Sequence, residues 1–233
     1  MSENVTYGQY NDQEYVLNRF HFDEIPMNIM DSIRNLCEKS KCALRGGMAY
    51  IYLIKDYSYM LKDIDLLGEK SDIDKILHIL GGADHIFVNK NTFNQDVITA
   101  FWKSEEDYYK IDVLLVDDFS FYEIIECNGF KTVTADYLWK NRLEKIVQKE
   151  IRHHSDDKTR NHFYVASNLA EYLVDCDGYK YSVDSLEVKT LLLHIREVLA
   201  DLMNEDDLEK FMALQNKIIQ RMEMEHENTV LST

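Results

Sequence analysis

Apolar residues recur at helical spacing over residues 22–40, where Ile25, Ile29, Ile33 and Leu36 share one stripe. Residues 43–45 read as a short extended piece broken by Gly46-Gly47, and residues 48–54 as a buried helix. Residues 61–67 alternate as a strand does. Residues 71–80 read as a helix opened by a capping box, Ser71 with Asp74 three positions on, and closed by Gly81-Gly82. Residues 85–88, 97–102 and 108–116 read as strands, the last two joined into a hairpin by the polar turn 103–107. From residue 134 the period becomes helical. Four stretches follow, at about 134–153, 158–175, 183–203 and 205–224, and Asp177-Gly178 marks a turn between the second and third. The third carries Leu186, Leu191, His194, Val198, Leu199 and Leu202 along one expected stripe. Residues 226–233 read as a frayed end. The pattern predicts an α/β (α+β) domain with a mixed sheet over about 1–130, followed by an all-helical bundle over 131–233.

Composition narrows the class. The 233 residues are 45% hydrophobic and 29% charged, as in ordinary globular chains. Apolar runs are far shorter than a membrane span, and the polar start lacks the pattern of a secretion signal, so a cytoplasmic location with no membrane partner is expected. Cys37, Cys42, Cys127 and Cys176 include no CxxC pair, which argues for free thiols rather than a zinc or redox site. A net charge of -16 argues against a broad grip on nucleic acid. Residues 131–160 nevertheless hold eight Lys or Arg against five acids. This excess fits a local anion site or a solvated helix face.

Three pieces of sequence carry candidate chemistry. Gly46-Gly47, between a strand and a helix, lets the backbone approach a bound anion at the helix start. Asp63 and Asp65, two apart on a strand, share a face while Ile64 and Leu66 turn to the core. Such paired carboxylates repel unless a cation lies between them, which suits Mg²⁺ or Mn²⁺. Asp112 is a lone acid in the apolar run 109–116, and Lys110 shares its face. If the two strands are neighbours, the three acids form a cluster suited to two metals and phosphoryl or nucleotidyl transfer. One metal would lie on Asp63 and Asp65 with the triphosphate, and the other would also use Asp112. Lys110 would reach a phosphate or balance the cluster. Lys140, Arg142, Lys158 and Arg160 read equally as a triphosphate clamp or as a solvated face. Asp72 and Asp74 read as helix-start acids, and Asp117-Asp118 as a turn. His153, His154 and His162 match no zinc spacing and read as an exposed helix end.

Gly46-Gly47, a helix, Asp63-Ile64-Asp65 and then Asp112 on a later strand resemble the DNA polymerase β-like nucleotidyltransferases over residues 40–118. The helical second half is most similar to AbiEii-type nucleotidyltransferases of abortive-infection toxin–antitoxin systems, on residues 48–53 and 136–143. The resemblance implies a mixed-sheet nucleotidyltransferase core with catalytic, metal-holding Asp63, Asp65 and Asp112. It implies an NTP held by Gly46, Gly47, Lys110, Lys140, Arg142, Lys158 and Arg160. The NMP would pass to a hydroxyl on RNA, protein or a small molecule, and an antitoxin-like protein partner is implied. Two departures support an alternative. Met48 stands where many relatives have Ser or Thr, and Asn161 stands where an acid is expected. The alternative is a catalytically degenerate protein of this fold that binds nucleotide or a protein partner.

Overall fold

A computed structural model describes residues 4–105 and 107–231. The chain divides into two compact units, Met1–Val133 and Thr134–Thr233.

The first unit is built on one eight-stranded mixed sheet. Its strands are β1 (Val5–Tyr7), β2 (Cys42–Arg45), β3 (Ile64–Glu69), β4 (His85–Lys90), β5 (Asp96–Lys103), β6 (Tyr108–Val116), β7 (Ile124–Cys127) and β8 (Phe130–Val133). They lie in the order β1-β4-β5-β6-β3-β2-β8-β7. β3 runs parallel to β6, and β5 and β2 flank that pair antiparallel. The three helices of this unit are α1 (Met27–Lys39), α2 (Gly46–Ile54) and α3 (Ile73–Ile79). Pro26 at its N-cap starts α1, with φ -58 and no amide hydrogen to satisfy. α1 buries Ile29, Ile33, Leu36 and Cys37 against β2 and β8. α2 is buried on nearly every side, which explains its all-round apolar sequence.

The strand and helix phases follow the sequence pattern, with four differences. β3 begins at Ile64, so Asp63 sits in the bend before it rather than in the strand. The Ser71–Asp74 box does not form: Ser71 bonds to Glu69, and Asp72 is the N-cap of α3 and accepts from the Lys41 amide at 2.8 Å. β1 and the β7–β8 hairpin had no counterpart in the pattern. That hairpin turns on Asn128 and Gly129, both at positive φ, the geometry a two-residue turn requires. Residues 131–133 therefore belong to β8 and not to the helical part.

The second unit comprises α4 (Ala135–Val147), α5 (Asp156–Asp175), α6 (Ser185–Ala200) and α7 (Glu205–Leu231). Leu138, Trp139, Leu143 and Ile146 of α4 are buried, as are Val165, Leu169 and Leu173 of α5. α6 buries Val188, Leu192, Ile195 and Leu199; of the expected stripe Leu199 and Leu202 are buried, whereas Leu186 is 70% exposed and His194 is also exposed. Packing selected the face richest in branched aliphatics. Residues 148–153 form turns instead of extending α4, and α7 continues to Leu231 where fraying was expected. The last two residues of that stretch lie outside the described ones. Asp136 is fully buried in the first turn of α4. It accepts from the Tyr179 and Ser182 hydroxyls, both at 2.9 Å, and from the Ser182 and Val183 amides at 2.5 and 3.1 Å. It thereby fastens the α5–α6 connection to α4.

Among the described residues, no helix is long and apolar enough to cross a membrane. The four cysteines are free. Burial pushes the Cys37 and Cys42 thiols up to about 11 and about 12, so neither is a ready nucleophile.

Candidate functional site

The sheet places one row of residues side by side across four strands. Thr99 of β5 pairs with Asp112 of β6, Asp112 with Asp65 of β3, and Asp65 with Arg45 of β2. Register partners on neighbouring strands point to the same face. The Thr99 hydroxyl donates to Asp112 Oδ1 at 2.7 Å. The chain then turns sharply after Arg45. Gly46 takes φ +68 to open α2, and a Cβ there would lie 2.1 Å from Asp65 Oδ2. Gly47 is also closely packed, since a Cβ would meet Leu61 Cδ2 at 2.7 Å. Gly-Gly is thus demanded by the approach of the Asp65 carboxylate on one side and of Leu61 on the other.

Lys110 reaches into the acids from β6. Its Nζ is 2.8 Å from Asp112 Oδ2 and 3.4 Å from Asp63 Oδ2, and its side chain is only 12% exposed. Burial works against its charge, but Asp112 and Asp63 outweigh that and hold it above the usual lysine range. Asp63 is pushed above the usual carboxylate range by burial and then by Asp65, with Lys110 opposing. Tyr10 closes the group. Its hydroxyl is raised by burial, with Lys110 and Thr99 opposing and Asp112 adding. Its ring packs edge-on to Phe101 and Tyr15.

Carboxylate oxygens suit Mg²⁺ or Mn²⁺, so the donor chemistry fits such an ion. Among the described residues, however, no three His, Cys, Asp or Glu side chains are gathered to hold one. The Lys110 ammonium already lies between Asp63 and Asp112.

The structure therefore brings together Gly46, Asp63, Asp65, Lys110 and Asp112. It adds Thr99 and Tyr10, which sequence reasoning missed. The register of the 97–102/108–116 hairpin places Thr99 opposite Asp112 and would have revealed it; no local pattern marks Tyr10. Met48 is fully buried and presents no donor.

The four bases of the expected clamp do not converge. Lys140 pairs with Glu187, and Arg160 lines a groove with Phe163 and Phe211. Arg142 is buried and bonds to His162 at 3.2 Å, with Lys145 and Lys158 also near that ring. Residues two apart on a helix face different directions, so Lys140 and Arg142 separate, as do Lys158 and Arg160. Of the three histidines only His153 is exposed as expected; His154 is half-buried and His162 is 4% exposed. Burial, reinforced by Arg142, Lys145, His154 and Lys158, pushes His162 down to about 2. Burial with Lys158 and Arg152 takes His154 to about 4.

Depressed histidines stabilise the fold above their unfolded value of about 6.5, and that contribution is lost as the pH falls toward the folded values. Urea unfolding at pH 7, 6 and 5 should show stability falling, with a slope approaching about 1.4 kcal/mol per pH unit for His162 alone. His162→Gln should flatten the slope, and an unchanged slope would show that this ring does not set it.

Gly46→Ala has a second expected effect. The left-handed conformation costs a non-glycine residue about 1–2 kcal/mol, and the new methyl displaces the Asp65 carboxylate. Thermal unfolding should register the change, whereas Gly81→Ala, with open space around its Cβ, serves as the neutral control.

No family model matches the sequence, and neither does any curated protein. Among solved structures, an antigenic nucleotidyltransferase-like protein from Paracoccidioides brasiliensis is similar at TM-score 0.53 and 13% identity, over 84% of this chain and 95% of that one. The fold is nucleotidyltransferase-like. The Megavirus polyadenylate synthase is a weaker likeness, at TM-score 0.46 and 17% identity over 73% of this chain and 37% of that one. The nucleotidyltransferase-like fold agrees with the mixed sheet and helical second half expected from the pattern, and at this identity the likeness speaks to fold alone.

Proposed function

We propose that the first unit is a metal-dependent nucleotidyltransferase centre that binds an NTP and moves its NMP to a hydroxyl acceptor. The observation that carries this reading is the transverse row, with Asp65 and Asp112 as register partners beside the glycine that opens α2. Adjacent carboxylates repel one another, and a cation offsets that cost. The first amides of α2 have no intrahelical acceptor, and the side chain of its N-cap residue, Arg45, does not bond to them. A helix start of this kind favours an anion such as a phosphate. Mg²⁺ or Mn²⁺ held by Asp63 and Asp65 would neutralise the triphosphate and polarise the transferring group. Asp112 would accept the acceptor's proton, with Thr99 and Lys110 fixing the orientation of its carboxylate.

The AbiEii-type resemblance supports a toxin-like role, with RNA or protein as acceptor and an antitoxin-like partner. A second reading, nucleotide binding without turnover, is favoured by the burial of Met48, which leaves no hydroxyl after Gly47.

The test is incubation with Mg²⁺, each α-labelled NTP, and RNA or protein acceptors, comparing wild type with Asp65→Asn. Label transfer by wild type alone supports the enzyme. Nucleotide-dependent stabilisation without transfer, roughly 2.7 kcal/mol at a hundredfold excess over Kd, supports the second reading. Neither response would sink both.

A further inference from the structure

We propose that the Lys110 ammonium fills one of the two cation positions of this centre, so that the centre takes a single divalent ion with its nucleotide instead of a pair. The inference rests on the nucleotidyltransferase reading and specifies how that site is charged.

A two-metal centre sets two cations about 3.5–4 Å apart, each within reach of carboxylates. Here a cation is already built into the chain. Lys110 Nζ bridges Asp63 Oδ2 and Asp112 Oδ2 at 3.4 and 2.8 Å, joining the first acid to the third. It projects from the same face of β6 as Asp112, because the two lie two residues apart on one strand. Its side chain is 12% exposed, so withdrawing it would cost two ion pairs in a poorly hydrated place.

Asp112 is engaged on both oxygens. The Thr99 hydroxyl donates to Oδ1 and Lys110 to Oδ2. A carboxylate held between two donors is oriented as a hydrogen-bond and proton acceptor rather than as an open metal ligand. A divalent ion then falls to Asp63 and Asp65, and nucleotide phosphate oxygens complete its shell. This agrees with there being no ready trio of acidic, His or Cys ligands among the described residues.

The consequence for transfer is specific. The acceptor oxygen bonds to the α-phosphorus, the bond from that phosphorus to the bridging oxygen breaks, and its electron pair leaves with pyrophosphate. The acceptor's proton passes to Asp112, and the Lys110 charge stabilises the oxygen as it loses that proton.

The experiment counts metal rather than turnover. The full chain is dialysed against Mn²⁺ and each of the four α,β-methylene NTPs. Bound Mn²⁺ and bound nucleotide are then measured, and the bound ion is examined by electron paramagnetic resonance. Wild type should retain one Mn²⁺ per nucleotide with a mononuclear spectrum. Lys110→Met, checked for folding by circular dichroism, should rise to two with a coupled spectrum, while Lys110→Arg stays at one. Two Mn²⁺ per nucleotide in wild type would overturn this inference and leave the nucleotidyltransferase reading standing. A Lys110→Met protein that stays at one would also overturn it. Failure of wild type to retain any of the nucleotides would overturn both. The wild-type ratio decides the matter even if the methionine variant does not fold.

Discussion

Asp112→Asn should slow NMP transfer by about 10²–10⁴-fold, the range expected when a general base is removed, while nucleotide affinity stays near wild type. The amide oxygen can still accept from the Thr99 hydroxyl, so the strand pairing and that hydrogen bond survive. The capacity to take a proton, and half of the ionic hold on Lys110, are lost. Single-turnover kinetics with saturating NTP would isolate the step, and nucleotide titration would confirm that binding is intact. A variant that bound nucleotide normally and transferred it at the wild-type rate would remove Asp112 from the chemistry. Weakened nucleotide binding with the rate at saturation unchanged would instead make it a binding residue.

Asp136→Ala should destabilise the helical unit by about 3 kcal/mol or more. The carboxylate is fully buried and accepts from two hydroxyls and two backbone amides. Each buried donor left without a partner costs about 1–3 kcal/mol, though water entering the space recovers part of the sum. Asp136→Asn keeps one oxygen and should lose less. Urea titration followed by far-ultraviolet circular dichroism would rank the three proteins as wild type, Asn, Ala. Asp136 belongs to the segment that resembles AbiEii-type proteins, so this test also separates an architectural role for that segment from a catalytic one: the Ala variant should lose stability well before it loses transfer at low temperature.

The centre was legible where strand geometry is simple. Asp63, Asp65, Lys110 and Asp112 could be grouped because side chains alternate on a strand and two isolated acid-bearing apolar runs invite pairing. The register then placed Asp65 opposite Asp112. Asp63 was phased correctly toward the acids even though it lies in the bend before β3. Helical phase was harder to read. On α6 both Leu186 and Leu192 suit a core, and only packing chooses between them, burying Leu192 and exposing Leu186. The clamp of Lys140, Arg142, Lys158 and Arg160 failed for the same reason: closeness in sequence says little about a shared face when each residue turns by about 100°. Tyr10 was out of reach because its partners Thr99, Phe101 and Lys110 come from distant strands, and nothing periodic surrounds it. The β7–β8 hairpin had its signal in Asn128-Gly129, overlooked because its strands are four residues each.

The row through Thr99, Asp112, Asp65 and Arg45 draws on four strands, and its central step is a parallel pairing between segments far apart in the chain. Pairings of that kind close late in folding, because the loop entropy is lost before any contact forms. No fragment ending before β6 can contain the centre, however well its local pieces hold. On the proposed function, the chain would be inert during synthesis until most of the first unit has emerged and closed. A chain of this design would carry its own delay, because the proposed reactivity depends on the completed sheet.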